Sequence, residues 1–186
     1  MTRYFVYSLF DMDIVELLVN TNVKSVEKRD ALVKAIQIKS ISIIDIQTVS
    51  TVLDDKKLAI VFEALEAVSG KNSKLADLDW LLFVQNFIAS GSNSLKREAS
   101  RIVGNIAHMF PDNLDVAIQN LLGNIKHDSI VIRWGSAYAL SRILQIPKHA
   151  NSDLYEVLTA LCAQEQENGV KNQLFNGLKK ANKLRK

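Results

Sequence analysis

Apolar residues recur at intervals of three and four along almost the whole chain, the spacing that puts them on one face of a helix. The pattern predicts ten helices in five consecutive pairs. The first pair runs Ile14 to Asn20 and Val26 to Ile38, the second Ile43 to Leu53 and Lys57 to Ser69. The third is Leu78 to Ala89 and Leu95 to Phe110, the fourth Leu114 to Lys126 and Ile130 to Ile146, the fifth Leu154 to Glu165 and Val170 to Leu184. Ser69-Gly70, residues 90–93, Pro111-Asp112-Asn113, Pro147 and Asn168-Gly169 fall between the periodic runs, where terminators belong. Asp77, Ser94, Asn113 and Ser152 stand where an N-cap is needed.

The second helices repeat. Residues 95–106 superimpose on residues 132–143, 37 positions on, and Leu65, Val103, Leu140 and Leu178 share one register at separations of 38, 37 and 38. A recurring unit of that length, made of two helices, cannot bury its apolar face alone and must stack on its neighbours. The expectation is an all-α fold, an α-α superhelix of about five helical hairpins forming one domain over residues 1–186, with the repeats best defined in 78–186. Before residue 57 the register weakens, as terminal repeats do when one face meets water.

The segments Lys96 to Ile106 and Arg133 to Ile143 resemble the second helix of HEAT repeats: aliphatic, base, two variable, two small, then small and aliphatic positions in turn. Gly104 and Ser141 match the small position, and Arg133 following Asp128 matches the Asp and Arg pairing between turn and helix. The resemblance is good over residues 78–146, fair to residue 186 and poor before 56. It implies an α-solenoid that works by binding, and identifies no activity, because such scaffolds carry many.

Composition narrows the class further. Two prolines and seven glycines in 186 residues suit long helices, and 48% hydrophobic content is ample for a core. A single cysteine, Cys162, suits a reducing cytoplasm and is read as buried among Val157, Leu158 and Leu161. The apolar stretch Tyr4 to Phe10 is too short to span a membrane and lacks a signal-peptide cleavage pattern. The expectation is therefore a cytoplasmic protein with no membrane partner. The net charge of +3 is uneven: residues 1–93 carry 10 bases and 12 acids, residues 94–186 carry 13 bases and 8 acids.

Catalytic and metal chemistry find little support. His108, His127 and His149 are scattered without ligand spacing, so no metal and no cofactor is expected. Gly104, Gly123, Gly135 and Gly177 fall inside helices and read as sites of close packing. Asp77 and Asp79 serve a helix start. What remains is a surface. Arg97, Arg101 and Asn105 of the third pair, Trp134, Tyr138 and Arg142 of the fourth, and Asn176 and Lys180 of the fifth turn away from the aliphatic stripe and are expected to form one basic, aromatic patch on the concave wall. Arg133 and Lys96 read as structural partners of turn acids or carbonyls.

The reading is a non-catalytic interaction or scaffold module taking an acidic protein or peptide. Its rival is a nucleic-acid-binding protein. HEAT-like folds include bacterial alkylpurine DNA glycosylases, but Tyr138 stands where their pattern implies an acid, and Glu98 is the one acid nearby in register. Self-association through Tyr4, Phe5, Val6 and Tyr7 is a further expectation to weigh.

Overall fold

The computed structural model describes residues 13–186, and every regular element among them is helical. The segment Tyr4 to Phe10, with its proposed self-association edge, lies outside the described residues. The chain divides between Leu75 and Ala76 into two compact units.

The first unit holds α1 (Ile14–Val19), α2 (Ser25–Gln37), α3 (Ile43–Ser50), α4 (Asp55–Lys71) and a 3-10 turn, Ser73–Leu75. Three of its helices, α1, α3 and α4, start where the sequence supplies acceptors for amides that a first turn leaves unpaired. Asp13 accepts from the Glu16 amide at 3.0 Å, and Asp54 from the Lys57 amide at 2.9 Å. Ser42 and Asp45 exchange bonds in both directions, a capping box. The Ser42 hydroxyl and amide hold the Asp45 carboxyl below its ordinary range. α2 packs along α4 through Leu32, Ala35, Ile36, Leu58, Val61, Phe62 and Leu65, all buried. Lys28 is buried on α2 and donates its Nζ to the Leu18 carbonyl of α1 at 2.7 Å. Its stem lies in the core while its charge satisfies a helix end. At the other end of α2 the chain reverses in a Schellman turn. Ser40 donates to Ala35 at 2.9 Å and Lys39 to Ile36 at 3.1 Å, with Lys39 at a φ of 60°.

The second unit holds α5 (Leu78–Val84), α6 (Asn93–Ile106), α7 (Asp115–Asn124), α8 (Ile130–Ile143), α9 (Pro147–Ala150), α10 (Leu154–Gln164) and α11 (Asn168–Ala181). α5 continues as a 3-10 turn over Gln85–Ala89 and α6 over Ala107–Met109. Each of the ten predicted helical segments coincides with a helix, to within a few residues. α9 is an addition. Pro147, expected to terminate, opens this short helix at the position where a missing N–H costs nothing. Two expected N-caps are displaced: Ser94 lies within α6, and Asn113 precedes the capping residue Leu114. Ser152 takes only a long bond, 3.4 Å, from the Leu154 amide. The cause is common to all three: periodicity locates the first buried residue of a helix, and the first helical turn need not begin there. Asp77 does cap α5, accepting from Trp80 at 3.2 Å.

α8 is the centre of this unit, with α6 and α11 as its most extensive packing partners. Small residues set the distance of approach. A Cβ added to Gly104 on α6 would stand 3.0 Å from the Ala139 Cα and from the Tyr138 ring. One added to Gly177 on α11 would stand 2.6 Å from the Ser141 Cβ. Gly123 departs from expectation. It faces open space on α7, with nothing within 4 Å of such a Cβ, so no packing requires a glycine there.

Polar side chains then fasten each turn to one a hairpin away. The buried Asn124 donates to the Ile88 carbonyl at 2.7 Å, 36 residues distant. His149 Nε2 lies 2.9 Å from the Pro111 carbonyl, 38 residues distant, and Ser141 donates to Gln173 at 2.7 Å across 32. Arg133 binds the turn ahead of its own helix through the His127 and Asp128 carbonyls, each at 3.0 Å. Its carboxylate partner is Glu165, at 3.0 Å, and not Asp128, which offers its main chain while its side chain stays exposed. Burial alone would raise the Glu165 carboxyl. Bonds from the Glu167 amide, the Arg133 guanidinium and the Gln166 amide outweigh that and hold it below the ordinary glutamate range.

Three stability measurements follow from these contacts. Gly104→Val and Gly177→Val should each cost about 1–3 kcal/mol in urea unfolding, the range for overpacking, whereas Gly123→Ala should gain up to about 1 kcal/mol. Lys39→Gly should likewise stabilise the first unit, by about 1 kcal/mol, because only glycine adopts that φ without strain. Arg133→Gln should cost about 1–3 kcal/mol at neutral pH. The Glu165 bridge is present above the ordinary glutamate range and is lost as pH falls through the lowered value. The gap between wild type and Arg133→Gln should therefore narrow in acid, and a gap independent of pH would show the bridge to be without weight.

Candidate functional site

The second helices of the second unit carry the residues singled out by the sequence. On α8, Trp134, Tyr138 and Arg142 are spaced four apart and so stand above one another on one row. The Trp134 and Tyr138 rings stack, centroids 5.5 Å apart and planes inclined by 20°. The Arg142 guanidinium lies over the Tyr138 ring, 4.5 Å from its centroid. Tyr138 is thus engaged by both an indole and a cation.

Asn105 fastens this row to α6. Its Oδ1 accepts from the Tyr138 hydroxyl at 2.6 Å and from Arg142 Nη1 at 3.3 Å. The expectation that Asn105 lines the exposed patch is corrected by its burial, 2% exposed. The close approach at Gly104 lets the Tyr138 ring lie down on α6, and Asn105 ends up beneath it as the acceptor the buried hydroxyl requires.

Arg97 and Arg101 are half-buried on α6 and flank Glu98. Arg97 Nε lies 2.6 Å from one carboxylate oxygen, Arg101 Nη1 3.1 Å from the other, and Glu98 itself is 2% exposed. The three side chains carry one net positive charge between them, less than the two arginines suggest. The carboxylate is enclosed, so the one acid in register with Trp134 does not reach the surface.

On α11, Asn176 and Lys180 are exposed, one turn apart. Lys180 meets Arg142 in a polar pocket of about 240 Å³, lined also by Gly104, His108, Gln145 and Ile146. The eight predicted residues therefore divide into the Trp134, Tyr138 and Arg142 row with Asn105 below it, the Arg97 and Arg101 pair, Lys180 across the pocket, and Asn176, which is exposed on α11 and does not line the pocket. His108 and Gln145 carried no motif. The register that aligns Arg142 with Asn105 also brings them near, since each lies three residues further along its own segment.

A second concavity, of about 600 Å³, opens between α10 and α11. Cys162, Leu178 and Tyr155 form its apolar part, with Phe175 58% exposed between Lys171 and Lys179. Burial pushes the Cys162 thiol up, against a smaller downward pull from Lys171. That keeps it protonated and unreactive at neutral pH. Among the described residues no three His, Cys, Asp or Glu side chains gather as a metal site, and no helix is long and apolar enough to cross a membrane.

No family model matches the sequence, and no curated protein does. Among solved structures the chain is similar to the crystal structure of an engineered protein, a Northeast Structural Genomics Consortium target. The likeness covers 92% of this chain and 80% of that one at 15% identity, with a TM-score of 0.68. At that identity the comparison speaks to fold alone, and it agrees with an all-α chain.

Proposed function

We propose that the chain is a non-catalytic interaction module, a HEAT-like array of helical hairpins that holds an acidic peptide or helix against α6, α8 and α11. Hydrogen bonds recurring 32 to 38 residues apart support the repeat reading, because they fall near the spacing of the sequence repeat.

One observation carries the binding reading: the Trp134, Tyr138 and Arg142 row, clamped from below by Asn105. Aromatic and arginine side chains contribute most to a docked partner's affinity when little freedom is lost on binding, and these three are already stacked. Arg97 and Arg101 add a positive margin and leave a preference for carboxylates over neutral partners. The same stack weighs against single-stranded nucleic acid. Tyr138 is already engaged by Trp134 and by Arg142, which makes its ring less available to a base. Glycosylase chemistry is disfavoured by Glu98, whose enclosed carboxylate cannot steady a sugar cation outside the fold.

The test is capture from a native lysate by wild type and by Trp134→Ala with Arg101→Gln, folding checked by circular dichroism. A partner held by wild type should be lost from the variant, and equal retention by both would defeat the reading. Anisotropy of labelled single- and double-stranded DNA at low and moderate salt should detect no salt-dependent binding. A steep fall with salt would put nucleic acid in place of protein.

A further inference from the structure

The pocket shared by α6, α8 and α11 is distinguished in its unit by the arginine it holds. Of the five arginines there, Arg97 and Arg101 pair with Glu98, Arg133 with Glu165 and Arg185 with Glu156. Among the described residues no carboxylate pairs with Arg142 or with Lys180, although the two line one pocket. His108 and Gln145 complete its polar wall and no acid enters the lining. Two like charges converging on one concavity repel each other unless an anion lies between them.

The guanidinium is also held in place. Asn105 takes one of its N–H groups and the Tyr138 ring lies beneath it, which leaves further donors of the same fork for a ligand. The side chain that reaches the pocket is therefore oriented before anything binds, and little rotamer freedom remains to be lost there. Gly104 contributes no side chain to the floor, and the contacts around it forbid one without displacement.

We infer that this pocket is an oxyanion site that takes a phosphoryl group, free or as a monoester. Cationic donors come from two helices, Arg142 on α8 and Lys180 on α11, and charge-assisted bonds of this kind suit a multiply charged oxyanion. Two permanent cations match the dianion of a phosphate or its monoester more closely than the single charge of a phosphodiester. The volume of about 240 Å³ leaves space for the anion with several waters or with the first atoms of an ester. The inference shares Arg142 with the peptide-binding reading but does not rest on it, since the pocket holds the same two cations whether or not a partner lies along α8.

The experiment is a ¹H–¹⁵N NMR titration of the full chain with inorganic phosphate, O-phosphoserine and chloride at matched ionic strength. Phosphate and phosphoserine are expected to give saturable shifts at Gly104, His108 and the Gln145 side-chain amide, and chloride none. Arg142→Gln and Lys180→Gln should each weaken binding roughly tenfold, the scale of one charge-assisted hydrogen bond. Both side chains are exposed, and the same spectra report whether the variants stay folded. Saturation by phosphate with none by phosphoserine assigns the site to the free anion, and tighter phosphoserine binding assigns it to an ester. Shifts that drift linearly without saturating, or saturation unchanged in both variants, overturn the proposal. The peptide-binding reading is judged separately, by partner capture.

Discussion

The second unit depends on how near the backbone of α8 comes to those of α6 and α11. At Gly104 and Gly177 there is no room for even one added carbon without displacing the neighbouring helix. Close-packed helices gain dispersion energy along their length, and widening the gap by a fraction of an ångström forfeits much of it. The buried stripe of Ile102, Val103, Ile106, Ile132, Leu140, Ile143, Leu174 and Leu178 is shaped around that separation. Ser141 does double service there, small enough to admit α11 and polar enough to donate to the Gln173 carbonyl.

The same proximity organises the surface. Because α6 and α8 nearly touch at Gly104, the large side chains beside that contact cannot stand between the helices and must lie across them. Tyr138 lies against Gly104, Arg142 over the Tyr138 ring, and Trp134 stacks with that ring. Asn105 is enclosed by this arrangement and pays its desolvation with two accepted hydrogen bonds. Packing and site are one construction. The order of the Trp134, Tyr138 and Arg142 row comes from the glycine beneath it.

Helix existence was legible in the sequence because it rests on a repeated apolar interval. Val103, Leu140 and Leu178, aligned by spacing alone, are all buried. Details that rest on one side chain meeting another were not legible. Asn105 looks like a surface position from its place opposite the aliphatic stripe, and only the Tyr138 ring from another helix buries it. Arg133 was rightly assigned to the turn and its carbonyls, but its acid partner stands 32 residues later, beyond the reach of local pattern. Gly123 and Gly177 look alike in sequence, yet one faces water and the other a serine. The arginines were visible as charge, while the carboxylate that offsets two of them is enclosed at Glu98. His108 and Gln145 belong to no motif, and only packing brings them to Arg142.

Three polar ties of the second unit have nearly the same reach: 36 residues for Asn124 to Ile88, 37 for Arg142 to Asn105, 35 for Arg185 to Ala150. A chain fastened this way never has to wait for its distant end before closing a contact. Each of these ties closes a loop of similar length, so the entropy of loop closure is divided into similar steps. None of these three ties spans the whole unit, so none carries the cost of closing a loop of that length.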